Sequence, residues 1–246
     1  MPIAWIVGFS LLGSLGAIAG AALLMVLPAG FRSRLLPCLV SYATGTLLGA
    51  AFLGMIPTAL RHAAPTVVGA SVLAGIVGFF VLEKLVIWRH CHEPDCQVHG
   101  SAGPLILVGD AFHNSLDGVV IAAAFLTSVP LGVAAALAVI AHEVPQELGD
   151  FAILLDAGYS RRRAFWYNLL SSAATLPGAL LGYLYLDTAR RAIPYFLAIS
   201  AASFVYVALA DLIPSLHRRL GVRATVIQSA LLLAGIGTIA AFRVPG

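Results

Sequence analysis

Charge is scarce in this sequence: Asp, Glu, Lys and Arg make up 10% of its 246 residues, against about 25% in an ordinary soluble domain. With 60% of residues apolar, a water-soluble globule is excluded. So is a disordered chain, which needs high charge and low hydrophobicity. Cysteine is nearly absent, at three residues (Cys38, Cys91 and Cys96), which excludes a disulfide framework of the secreted type. The net charge is only +3, so nucleic acid binding has no compositional support. Met1 to Ile6 lacks the basic segment that opens a signal peptide, and the first apolar stretch is expected to be retained as a membrane span.

What the sequence has is long apolar runs. Eight of about 20 residues or more are found, at 3–28, 35–60, 66–88, 104–127, 131–155, 164–186, 193–215 and 223–243, each long enough to cross a bilayer as a helix. Period-two alternation is absent, which excludes a membrane β-barrel. The expectation is an all-α polytopic membrane protein: one transporter-sized domain over 1–246 with eight transmembrane helices, interrupted chiefly by a polar loop at about 89–102. Ten basic residues, among them Arg32, Arg34, Lys84, Arg161 and Arg223, fall in odd-numbered loops, and four (Arg61, Arg190, Arg191 and Arg243) on the other side. The positive-inside rule then predicts cytoplasmic odd loops and both termini outside.

Spans 2 and 7 share a pattern. Pro37 and Pro57 are 20 residues apart, as are Pro194 and Pro214, and a shift of 157 aligns Arg34 with Arg191, Ala51 with Ala208 and Ile56 with Ile213. An odd number of spans separates the copies, so they run in opposite directions. An inverted repeat of spans 1–3 and 6–8 around a central pair 4–5 is expected, an arrangement common in secondary transporters.

The acids carry the functional signal. Asp110, Asp117, Glu143, Glu147, Asp150 and Asp211 all fall within spans, where a carboxylate costs several kcal/mol unless it faces protein, water or a cation. In span 4, Asp110, His113, Asn114 and Asp117 share one helical face; in span 5, His142, Glu143 and Gln146 form another. Asp117 and His142 lie about 11 and 13 residues from the turn near Ser128, or about 17 and 20 Å along antiparallel helices. The two faces therefore meet near mid-membrane. The plainer reading is a polar network tying the helices together, but interhelical hydrogen bonds in membranes contribute only about 0.6–2 kcal/mol each. Imidazole, carboxylate and amide oxygen converging at one depth describe a divalent-metal site, with the histidines favouring Zn²⁺. Pro145 frees a backbone carbonyl near His142 and permits a kink. Asp110, Glu147 and Asp150 read equally well as supporting or helix-capping groups.

The stretches His113-Asn114-x-x-Asp117-Gly118 and His142-Glu143-x-Pro145-Gln146-Glu147-x-Gly149-Asp150, continued by Phe151-Ala152-Ile153-Leu154-Leu155, resemble the signatures of the ZIP (Zrt-, Irt-like) family of divalent metal transporters, in the subfamily with His-Glu-x-Pro-x-Glu in the fifth helix. The resemblance runs over essentially the whole chain. It implies zinc uptake into the cytoplasm by alternating access, with Fe²⁺, Mn²⁺ or Cd²⁺ as further substrates, and spans 1, 4, 5 and 6 sliding against 2, 3, 7 and 8. It implies a main site of His113, Asp117, His142 and Gln146 and a neighbouring site of Asn114, Asp117, Glu143 and Gln146. This sequence departs from the pattern at Gln146, where the subfamily usually has His, and at Ala50 and Gly54, where many members carry Asp and His. A neutral amide is a poor bridge between two cations, so one bound metal is expected, with Glu147 a substitute ligand if the helix rotates.

The loop between spans 3 and 4 concentrates His90, Cys91, His92, Cys96 and His99, soft to borderline Zn²⁺ ligands in no standard finger spacing. It is read as a weak exit-side binding or sensing segment; the plainer reading is a solvated loop with reduced, unpaired thiols or a Cys91–Cys96 disulfide, the last disfavoured on a cytoplasmic side. The Ala-, Gly- and Arg-rich composition suits a bacterial inner membrane. The partners expected are divalent metal ions and the lipid bilayer, with room for a homodimer. Two other functions were weighed. His142-Glu143 opens like the His-Glu-x-x-His pattern of zinc proteases, but Gln146 stands at the fifth place. A metal exporter of the cation-diffusion type would repeat His113-x-x-x-Asp117 on a second helix, and His142-x-x-x-Gln146 does so poorly. No nucleotide-binding motif is present, so no ATP coupling is expected, and the chain is read as a transporter and not an enzyme.

Overall fold

The computed structural model describes residues 2–88, 102–218 and 221–242, and among them there is helix and no strand. Eight membrane-length rods follow one another. They are α1 (Pro2–Val26), α2 (Ala29–His62), α3 (Pro65–Trp88), α4 (Ala102–Thr127), α5 (Val129–Asp156), α6 (Arg161–Thr188), α7 (Arg190–His217) and α8 (Val222–Ala241). Seven of them are long and apolar enough to cross a membrane by length and composition. The eighth, α4, is equally long at 26 residues but carries the polar stretch from Asp110 to Asp117. The expected all-α polytopic class is observed. The loop donors His90, Cys91, His92, Cys96 and His99 lie outside the described residues. Lys84, counted above with a loop, belongs to α3, where its ammonium sits 5.9 Å from the Phe80 ring.

The rods form two groups. In one, α4 packs against α6 and α5, and α1 against α5; in the other, α2 packs against α8 and α3 against α7. Small residues allow the tightest of these contacts, as they do in membrane helix pairs generally. A Cβ on Gly45 would lie 2.0 Å from the Leu232 carbonyl oxygen, and one on Gly235 would lie 2.3 Å from that of Tyr42. Between α4 and α6, Gly118 and Gly178 play the same part against Thr175 and Ser115.

Neither α2 nor α7 is a uniform α-helix. Each opens into a π turn, Ala50–Met55 in α2 and Val207–Leu212 in α7. Two residues past each π turn stands a proline, Pro57 and Pro214. A proline in a helix has no N–H to donate and its ring presses on the carbonyl four residues back; a wider turn relieves that clash. The two π turns are related by the same shift of 157 residues that aligned the prolines. The helix pairing respects the repeat as well: exchanging spans 1–3 with 6–8 turns the α2–α8 contact into α7–α3, and α1–α5 into α6–α4.

A block of alanines closes one end of the interior. Ala122, Ala123 and Ala124 of α4, Ala134, Ala135, Ala136 and Ala138 of α5, Ala51 and Met55 of α2, and Ala198 and Ala201 of α7 are all buried together. This is the end at which α4 turns into α5. The connection there is one residue, Ser128, whose hydroxyl accepts from the Leu131 N–H at 3.3 Å and starts α5.

Candidate metal site

The short α4–α5 link sets the register of the site. It holds the two helices antiparallel and side by side, so polar residues at matching distances from Ser128 come together. Four donor groups converge: His113 and Asp117 of α4 with His142 and Glu143 of α5, one ligand atom of each lying within 4.8 Å of all the others. The two Nε2 atoms are 3.3 Å apart. His142 Nε2 is 3.2 Å from Asp117 Oδ2 and 3.6 Å from Glu143 Oε1, and His113 Nε2 is 3.7 and 3.6 Å from the same atoms. Four ligands at the usual Zn–N and Zn–O distances stand about 3.3 Å from one another along the edges of a tetrahedron. Five of the six separations, 3.2–3.7 Å, are close to those edges, and the Asp117 and Glu143 oxygens lie within 4.8 Å of each other.

One of the histidines is also oriented for ligation. His142 Nδ1 lies 2.9 Å from the Ala138 carbonyl oxygen. A carbonyl can only accept, so Nδ1 carries a proton, and in the neutral ring Nε2 keeps its lone pair toward the centre. Phe204 of α7 lies with its ring centre 6.1 Å from that of His142 and backs it. Asp117 Oδ2 and both oxygens of Glu143 have no hydrogen-bond partner although these side chains are 1% and 2% exposed. Buried carboxylates without partners are costly, and a cation between them removes that cost. The two negative charges match one divalent ion.

The amide N–H groups of Asn114 and Gln146 are directed to Asp110. Asn114 Nδ2 donates to Asp110 Oδ1 at 3.0 Å, and Gln146 Nε2 donates to the same oxygen at 3.3 Å. The Asn114 oxygen lies 2.9 Å from the Thr175 hydroxyl of α6. Glu147 is fully buried, with its side-chain oxygens unpartnered and its carbonyl accepting from Asn168 Nδ2 at 2.9 Å. Sequence reading missed Thr175, Asn168, and the Ser14 hydroxyl that bonds the Ser172 carbonyl at 2.9 Å. All three lie on α1 and α6, and only their polarity within apolar runs marked them.

A cavity borders the site at His113. It measures about 570 Å³ and is lined by Asp110, His113, Gln146, Asp150, Asp211 and Ser215 among others, and His113 is the one half-buried member of the four, at 20% exposed. The cavity opens toward the end where α4 begins and α5 and α7 finish, opposite the alanine block.

Comparison with known sequences agrees with this geometry. The sequence model of a family described as ZIP zinc transporter matches residues 88–243. The chain belongs to the ZIP family. A protein named zinc transporter ZIP13 from Pongo abelii is 32% identical over 265 residues, covering 95% of this chain and 77% of that protein. Zinc transporter ZIP10 from Danio rerio is 36% identical over 140 residues, and zinc transporter foi from Drosophila melanogaster 38% over 136. Each of these last two alignments takes in 54% of this chain but only 16% and 19% of the relative, so this chain spans a small part of those longer ZIP proteins.

Proposed function

We propose that this chain carries divalent metal ions across a membrane, zinc foremost, through a tetrahedral site of His113, Asp117, His142 and Glu143. The observation that carries the reading is the convergence of four donor atoms at tetrahedral spacing, three of their side chains nearly inaccessible, inside helices of membrane length. Two imidazoles and two carboxylates suit Zn²⁺, and Fe²⁺, Mn²⁺ and Cd²⁺ bind the same donors in a different order of strength. The names of the relatives, all zinc transporters, support the same substrate. With the odd loops cytoplasmic, as the arginine bias supports, the cavity faces the cytoplasm and both termini lie outside, in a bacterial inner membrane. Transport is then uptake. Exchange of access between the two sides follows from movement of the α1, α4, α5, α6 group against α2, α3, α7 and α8. The Glu143 carboxylate is a metal ligand here and not the general base of a hydrolase.

The test is uptake of ⁶⁵Zn²⁺ by proteoliposomes. Asp117→Ala removes a ligand and half of the compensating charge, and uptake is expected to fall to the level of empty liposomes while the protein still inserts and folds. Retained uptake would overturn the site.

A further inference from the structure

Acid is missing from two whole stretches of this chain. No Asp or Glu occurs from Met1 to Leu82 or from Leu212 to Gly246, so α2 and α8 carry arginines and no carboxylate. Among the described residues the arginine that forms an ion pair is Arg190, with Asp187; Arg34 of α2 and Arg223 of α8 form none.

Helix packing brings these two arginines to one depth. Gly45 of α2 meets Leu232 of α8, and Gly49 meets Ile239, so the two helices run parallel. Arg34 lies 11 residues before Gly45 and Arg223 nine before Leu232, about 17 and 14 Å back along the axes. This is the end that holds the α1–α2 and α7–α8 connections. Both arginines line one cavity there of about 840 Å³, with Pro37, Cys38, Ile227 and Gln228 among its other walls and no described acid. Gln228 Nε2 donates to the Leu216 carbonyl at 3.5 Å, which ties this wall to the end of α7. The start of α8 at Val222 has no side-chain cap, and its first N–H groups add partial positive charge at the same place.

The cavity lies at a lipid-facing surface. Val222, Val226 and Leu233 of α8 are 83, 62 and 64% exposed, and in a membrane-spanning chain such side chains meet acyl chains. Cys38 and Ile227 stand four residues beyond Arg34 and Arg223, about 6 Å deeper in the membrane. Cations thus sit at one level of the cavity and apolar walls at the next. Orientation by the positive-inside rule requires only that arginines lie on one side. It does not require two of them to share an acid-free cavity at one depth.

We infer that this cavity holds an anionic phospholipid, its phosphate between Arg34 and Arg223 and one acyl chain along Cys38 and Ile227. Basic pockets between membrane helices bind such headgroups, and the guanidinium fork matches phosphate oxygens. The bound lipid bridges α2 and α8. The inference needs only a membrane-spanning chain and stands apart from the metal site.

Native mass spectrometry of the full-length protein in detergent tests this, with palmitoyl-oleoyl phosphatidylglycerol or phosphatidylcholine added at equal concentration. The anionic lipid is expected to bind about tenfold or more tightly. Arg34→Gln and Arg223→Gln should each weaken it by about fivefold, and together by about 25-fold, with phosphatidylcholine binding unchanged. Arg61→Gln, at the opposite end of α2, should have no effect. On the parent protein, phosphatidylglycerol with a diazirine in its acyl chain should cross-link to peptides containing Cys38 or Ile227. Equal binding of the two lipids, a preference that survives in the double variant, or cross-links confined to other helices would each overturn the inference. Displacement of the lipid by inorganic phosphate at the same concentration would also overturn it, by making the cavity a site for soluble anions.

Discussion

His142 shows how one residue is prepared for metal. Its ring is buried at 1% exposure, oriented by the Ala138 carbonyl through Nδ1, backed by Phe204, and left with Nε2 pointing at three other donors. The orienting bond is made to the chain itself, so no single side-chain substitution removes it; replacing His142 by Gln keeps a donor but loses the fixed lone pair, and zinc affinity by calorimetry is expected to drop by about 10–100-fold. Gln146 predicts the opposite change. Its amide donates to Asp110, one turn beyond His142 on α5, and Gln146→His, which adds an imidazole there, should tighten zinc binding or add a second bound ion. Unchanged affinity and stoichiometry in that variant would separate Gln146 from the metal site. At this scale the sequence was legible in part. The periodicity of α4 and α5 marks His113, Asp117 and His142 as cofacial, and the structure brings them together. It marks Gln146 as closer to the His142 face than Glu143, because residues four apart are about 40° apart around a helix and adjacent ones about 100°. In the structure, Glu143 joins the histidines and Gln146 joins Asp110. Side-chain reach and the demand of Asp110 for donors decide this, and neither is a property of helical period.

At the scale of elements, the two π turns show what a proline pattern encodes. The spacing of Pro37 with Pro57 and Pro194 with Pro214 exposed the repeat in the sequence, but it could not say whether the chain would kink, break or widen. The observed answer is a widened turn in both copies, at the same register. In α7 that turn brings Asp211 to the cavity; in α2 the matching position is Gly54, where an added Cβ would lie 2.9 Å from the Leu131 side chain. The copies thus share a backbone feature and differ in what they display on it. Pro145, by contrast, leaves α5 one helix from Val129 to Asp156. The closest helix contact gives a stability prediction. Gly45→Val places a side chain on the Leu232 carbonyl, an overpacking that typically costs about 1–3 kcal/mol. The variant should unfold at a clearly lower temperature in detergent, whereas Gly109→Ala, with nothing within 4 Å of its added carbon, should not.

At the scale of the molecule, the interior is asymmetric along the membrane normal: alanines close one end and an acid-lined cavity opens the other. Small apolar residues let helices approach until no passage remains, and acids need space and water. This asymmetry predicts accessibility. A thiol placed at Ser215, beside the cavity, should react with a membrane-impermeant maleimide from the side holding the α1–α2 and α7–α8 connections, and bound zinc should slow labelling at His113→Cys but not at Ser215→Cys. Labelling of Ser215→Cys from the side bearing the termini would contradict the placement of the cavity opening.

The link between α4 and α5 has a mechanical meaning. Ser128 is the only residue between Thr127 and Val129; its N–H closes the last turn of α4 on the Ala124 carbonyl and its own carbonyl opens the first turn of α5 by accepting from the Gly132 N–H, so the two ligand-bearing helices have no slack at that end. A hinge between them at Ser128 has no spare residues to bend, so His113 and Asp117 keep their register against His142 and Glu143 as long as that one-residue link holds.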